Sequence, residues 1–84
     1  MQGNNMQINW NGTVKWNQLY ATEKDLLDDM IKVDVQEFIR RRFNGFQYLE
    51  SFQRQYASKG QLSDKQMTML KRMAKEIFKY HNWQ

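Results

Sequence analysis

The 84-residue chain has no cysteine and no proline, one histidine and four glycines. Without cysteine, neither disulfides nor thiolate metal centres can stabilise it. A single His is also too few for a zinc site of ordinary composition. No apolar run approaches the roughly 20 residues a membrane span needs. The opening "MQGNNMQINW" lacks the basic-then-apolar order of a signal peptide. No glycine-rich phosphate loop is present. These absences predict one cytoplasmic domain with no membrane partner, no metal and no cofactor.

Aromatic residues are plentiful by contrast. Three Trp, four Tyr and five Phe make up 14% of the chain, and large rings fill a small core efficiently. Six Met add adaptable apolar volume. The net charge of +4 is unevenly spread. Glu23 to Glu37 holds six acids and two bases, a balance of −4; Phe38 to Gln84 holds ten bases and three acids, a balance of +7. Such asymmetry suits a polyanionic partner for the basic part, or two segments that pack together and complement each other.

The expected fold class is mainly α, a small three- to four-helix bundle with a short N-terminal β-hairpin. In "INWNGTVKW", Asn11-Gly12 lies between β-favouring residues, a strong hairpin signal. A two-residue loop does not segregate apolar from polar side chains. A three-residue loop pairs Trp10 with Val14 and Ile8 with Trp16 on one face, and is preferred. The first seven residues are polar and read as frayed.

Thr22 is a good N-cap, and Glu23 and Asp25 put negative charge in the first turn, where the helix dipole favours it. Leu26, Leu27, Met30 and Ile31 follow at helical spacing. Asp34 offers two readings. Asp34 to Glu37 resembles a capping box opening a new helix; alternatively Val35, Phe38, Ile39 and Phe43 continue the apolar stripe of one helix over 23–43, kinked at 32–34. Asn44-Gly45 marks a break, and a helix follows over 46–58 with Phe46, Leu49, Phe52, Gln53 and Tyr56 down one side.

The stretch "KGQLSDKQMTML" reads as a corner. Gly60 suits a left-handed helix terminus, with Lys59 at the negative end of the dipole. Ser63 and Gln66 form a capping box, and Leu62 and Met67 a hydrophobic staple. The last helix spans 64–80, with Met67, Leu70, Met73, Ala74, Ile77 and Phe78 on its apolar face. The segment "FQYLESFQRQYASKGQLSDKQMTMLKRM", Phe46 to Met73, resembles a helical hairpin of small phage-encoded proteins and of accessory segments of phage replication and recombination proteins. The shared pattern is an aromatic-x-x-Leu helix, a Gly, then Leu-Ser-x-Lys-Gln opening a second helix. It covers about a third of the chain, and implies a phage-like origin, acting in a bacterial host cytoplasm, more than an activity.

Signals for catalysis are sparse. His81 lies near the end of the chain with no acid close in sequence, and reads as solvated or helix-terminal. Asp25, Asp28 and Asp29 share a helix face, but the glycine-bearing calcium-loop pattern is missing, so a solvated acidic face is expected. Ser51, Ser58 and Ser63 have no base partner. A non-enzymatic protein is expected. Binding surfaces are better marked. Lys71, Lys75 and Lys79 recur at four-residue spacing with Arg72 alongside, Arg40, Arg41 and Arg42 form a second run, and Arg54 and Lys65 add to it. Joined on one side, they would track the phosphate backbone of DNA or RNA. Trp10, Trp16 or Trp83 could stack on unpaired bases. Three consecutive Arg on a helix diverge, so not all can meet one backbone. The alternative is a phage inhibitor of a host protein or defence complex, anti-CRISPR-like, acting by protein–protein binding through aromatic, Met and Arg side chains. A homo-oligomer that hides surplus apolar surface is the third reading.

Overall fold

The structure, a computed structural model, describes residues 14–82. In chain order the elements are α1 (Trp16–Leu19), α2 (Glu23–Ile31), α3 (Val35–Arg40), α4 (Phe46–Lys59) and α5 (Asp64–Asn82). No strand occurs among the described residues, and the helical bundle agrees with expectation. The N-terminal β-hairpin does not. Its proposed return strand includes Val14, which has no regular structure, and Trp16, which opens α1. Local polar chemistry explains the helical turn. The Gln18 amide N–H donates to the Lys15 carbonyl at 3.0 Å, and the Gln18 side-chain carbonyl accepts from the Lys15 N–H at 2.8 Å. Gln18 three residues after Lys15 thus closes a reciprocal pair that a strand could not make. The other half of the hairpin, residues 8–13, lies outside the described residues.

The acidic segment is two helices. Thr22 caps α2 by accepting from the Asp25 N–H at 3.1 Å. Asp34 caps α3 by accepting from the Glu37 N–H at 3.2 Å. The gap between them is held from a distance. Gln53 on α4 donates its amide to the carbonyls of Met30 at 3.1 Å and Val33 at 2.8 Å. The Asp34 N–H donates to the Tyr80 hydroxyl of α5 at 3.2 Å. Groups that a continuous helix would satisfy internally find partners on α4 and α5 instead.

The second helix of this segment stops at Arg40, short of the expected Phe43. Arg42 is left-handed, with φ of 65°. Its N–H donates to the Ile39 carbonyl, and the Phe43 N–H donates to the Phe38 carbonyl at 3.2 Å. Both bonds of a Schellman terminus are present, and the Phe38 and Phe43 rings stack 5.1 Å apart as its apolar contact.

Gly45, at φ 96°, precedes α4. A Cβ there would stand 2.8 Å from Cε of Met73, so Gly45 leaves room for the Met73 side chain of α5. The α4 helix buries Leu49 and Phe52, whereas Phe46, expected on the same side, is exposed. The corner matches expectation closely. Gly60 is left-handed at φ 74° and its N–H meets the Tyr56 carbonyl at 2.8 Å. Ser63 Oγ accepts from the Gln66 N–H at 3.1 Å, and Gln66 Oε1 from the Ser63 N–H at 2.8 Å. Leu62 is buried and Met67 packs against the core.

The core is formed by Tyr20, Leu26, Met30, Val33, Phe38, Leu49, Phe52, Leu62, Leu70, Met73, Ala74 and Ile77. Every described helix contributes to or flanks it. The α5 helix lies against α1 and α2, while α4 lies against α2 and α3, so α2 touches both α4 and α5. No described helix is long and apolar enough to cross a membrane.

Candidate nucleic-acid interface

The α5 helix supplies the largest basic surface, and its wheel follows from which side it buries. Leu70, Met73, Ala74 and Ile77 face the core. At 100° per residue, Lys65, Thr68, Arg72, Lys75 and Lys79 then share an outward arc of about 80°, roughly 21 Å long. Lys65, Thr68 and Arg72 are exposed; Lys75 and Lys79 are half-buried, as expected of long stems lying along a helix. No carboxylate falls on this arc after Asp64. Asp64 and Glu76 border the arc, each about 20° outside one of its edges; Glu76 accepts from the Asn44 N–H at 3.2 Å.

The expected repeat of Lys71, Lys75 and Lys79 does not act as one stripe. Lys71 Nζ sits 2.7 Å from Glu23 Oε2 and 4.9 Å from the centre of the Trp16 ring. It is 30% exposed and joins α5 to α1 and α2. The complementarity of the acidic and basic segments is realised at this contact. Arg72, set beside the stripe in the sequence, belongs to the middle of the outward arc.

The arginine run divides by direction. Arg40 is exposed, 3.9 Å from Glu37 on its own helix. Arg41 turns inward: its Nη1 donates to the Tyr80 carbonyl at 3.0 Å, and its guanidinium lies 5.1 and 4.9 Å from the Phe43 and Tyr80 ring centres. Tyr80 is in the last turn of α5, whose carbonyls have no intrahelical donor, so Arg41 serves as a cationic cap. Arg42 is exposed on the left-handed terminus of α3. Arg54 points outward from α4 and pairs with Glu50 at 3.5 Å, both well exposed. It lies on a helix face separate from the α5 arc.

His81 is also used internally. Its Nε2 lies 2.7 Å from the Asp29 carbonyl. A carbonyl only accepts, so Nε2 carries the hydrogen. This bond holds the end of α5 to the last turn of α2. The acidic face is occupied in a similar way. Asp28 pairs with Lys24 at 3.1 Å, and Asp29 accepts from the Tyr20 hydroxyl at 2.9 Å. The bond to Asp28 raises the Lys24 ammonium above its usual range. Burial, reinforced by Asp29, holds the Tyr20 phenol well above its usual range. Among the described residues no group of three or more His, Cys, Asp or Glu is placed to hold a metal.

One feature of the surface escaped sequence reasoning. Lys15, Trp16 and Asn17 face Thr68, Lys71 and Arg72 across a groove between α1 and α5. The strand reading of residues 14–16 concealed it, although Lys15 is the only charged residue before Glu23. Compared with known protein families, curated proteins and solved structures, the chain shows no match.

Proposed function

We propose that this is a non-enzymatic, phage-type accessory protein that binds nucleic acid through the outward face of α5. The observation that carries the reading is the arc of Lys65, Arg72, Lys75 and Lys79, with no carboxylate among them over about 21 Å. A strand of nucleic acid presents one negative charge per roughly 3.4 Å, so the arc can meet several phosphates at once. Arg40 and Arg42 extend positive charge on α3, whereas Lys71 and Arg41 serve the fold.

Four phosphate contacts give log K a slope against log salt of about −3.6 for duplex DNA and about −2.8 for a single strand. The test is binding of labelled single- and double-stranded DNA over a salt series. Changing Lys75 and Lys79 together to Gln should reduce the slope by about two. Absence of binding at low salt, or binding indifferent to salt, sinks the reading.

The competing reading is inhibition of a bacterial host protein by direct binding. Exposed Ile31, Ile39, Phe46 and Tyr48 speak for it. Phe46 and Tyr48 stand two residues apart on α4, however, and so point about 200° apart, which does not make one anchor patch. A stoichiometric partner recovered from nuclease-treated bacterial lysate, and lost on changing these apolar residues to Ser, would favour it.

A further inference from the structure

We infer that the groove between α1 and α5 is a stacking site for one unpaired nucleobase, giving the α5 face a preference for single strands. The inference rests on the nucleic-acid reading above and assigns the groove a separate job within it. The indole of Trp16 supplies an aromatic surface, and Val14 extends the apolar wall. Lys71 covers part of the ring from α5, 4.9 Å from its centre, and is itself anchored by Glu23. This contact takes one part of the indole, and a base would stack on the part that lines the groove. Lys15 and Arg72 stand at the rim, both exposed. Asn17 and Thr68 offer neutral hydrogen-bonding groups, and none of the residues lining the groove is acidic.

The combination selects the ligand by chemistry. A cationic ligand would meet Lys15 and Arg72 at the rim and Lys71, whose partner Glu23 is the one carboxylate close by. An inorganic anion would use the cations and leave the indole without a role. A nucleotide uses both, because every base has a π-face and every linkage a phosphate. Arg72 belongs at once to the groove and to the outward arc of α5, so a strand following the arc passes the groove mouth. Only an unpaired base can turn out of the strand and enter. In a duplex the bases remain stacked and paired, and the groove adds nothing.

The experiment compares binding of labelled oligothymidylate and of a duplex of equal length to the full chain and three variants. Trp16→Leu should weaken oligothymidylate about tenfold and leave the duplex unchanged; Trp16→Phe should restore most of the loss. Lys75→Gln with Lys79→Gln should weaken both ligands. Because Trp16 also packs against the core, a second measurement uses the wild-type chain. The Trp16 indole N–H resonance, assigned by its disappearance in Trp16→Phe, should shift on titration with oligothymidylate along the binding curve. An unmoved resonance, or equal losses for both ligands in a folded Trp16→Leu protein, would overturn the stacking site while leaving the α5 face intact. Failure of the wild-type chain to bind either ligand at low salt would overturn the face itself, and the stacking site with it.

Discussion

Arg42 occupies a backbone conformation that glycine usually takes. Its φ of 65° ends α3, and two terminal hydrogen bonds and the stacked Phe38 and Phe43 rings hold it there. A left-handed non-glycine residue costs about 1–2 kcal/mol, against about 0.5–1 kcal/mol for the greater chain freedom glycine loses on folding. Arg42→Gly should therefore stabilise the protein by roughly 0.5–1 kcal/mol, read as a higher urea midpoint at unchanged slope; a lower midpoint would mean the Arg42 side chain contributes more than the backbone strain removes. Tyr20 carries a pH dependence. Burial and the bond to Asp29 hold its proton in the folded state above the ordinary phenol range. The unfolded chain releases that proton near pH 10. Below that pH the contribution of Tyr20 to stability is fully present, and it is lost as pH rises, because the unfolded state then ionises while the folded state does not. Melting temperatures from about pH 8 to pH 11 should fall more steeply for wild type than for Tyr20→Phe. Parallel curves would remove Tyr20 as the cause.

At the scale of elements, two kinds of helix end meet in this chain. The start of α5 is local: Ser63 and Gln66 satisfy each other's amides across three residues. Such an end can be read from sequence, and the corner at Gly60 to Met67 was. The gap between α2 and α3 is not local. Its carbonyls draw a side-chain donor from Gln53, 20 and 23 residues away, beside the local Val33 N–H on Met30, and its amide is received by Tyr80, 46 residues on. In the sequence Asp34 therefore stood between two readings that only tertiary contacts could separate. Arg41 was illegible for the same reason, since its partner carbonyl at Tyr80 is 39 residues away. The outward α5 face was half legible: helical spacing marked Lys75 and Lys79, but the packing of α1 took Lys71 away. The two kinds of end should respond differently to truncation. Ser63→Ala leaves exposed amides that water can serve and should cost about 1 kcal/mol. Gln53→Ala removes the amide that bridges α4 to the Met30 and Val33 carbonyls and should cost about 1–3 kcal/mol. Chemical denaturation that ranked Ser63→Ala as the costlier change would contradict this view of the gap.

For the molecule as a whole, the question is whether residues 46–82, α4 and α5 with the corner between them, form a module. Its two helices are joined by a well-formed corner, which favours independence. Their apolar faces argue the other way. Leu49 and Phe52 on α4, and Leu70 and Ile77 on α5, are buried together with Leu26, Met30 and Phe38 from α2 and α3. Removing residues 1–45 would expose that inner surface. It would also withdraw Arg41 from the Tyr80 carbonyl, the Asp29 carbonyl from His81, and Glu23 from Lys71. A peptide of about 37 residues falls below the size at which a core usually sustains a fold unaided, and α4, with 14 residues, is near the length at which an isolated helix is marginal. The peptide 46–82 should accordingly show partial helicity by circular dichroism and melt gradually, whereas the full chain should unfold in one cooperative step with coincident helicity and tryptophan-fluorescence transitions. A sharp melt of the peptide near the temperature of the full chain would instead make the hairpin an autonomous unit, with α1 to α3 as an addition to it.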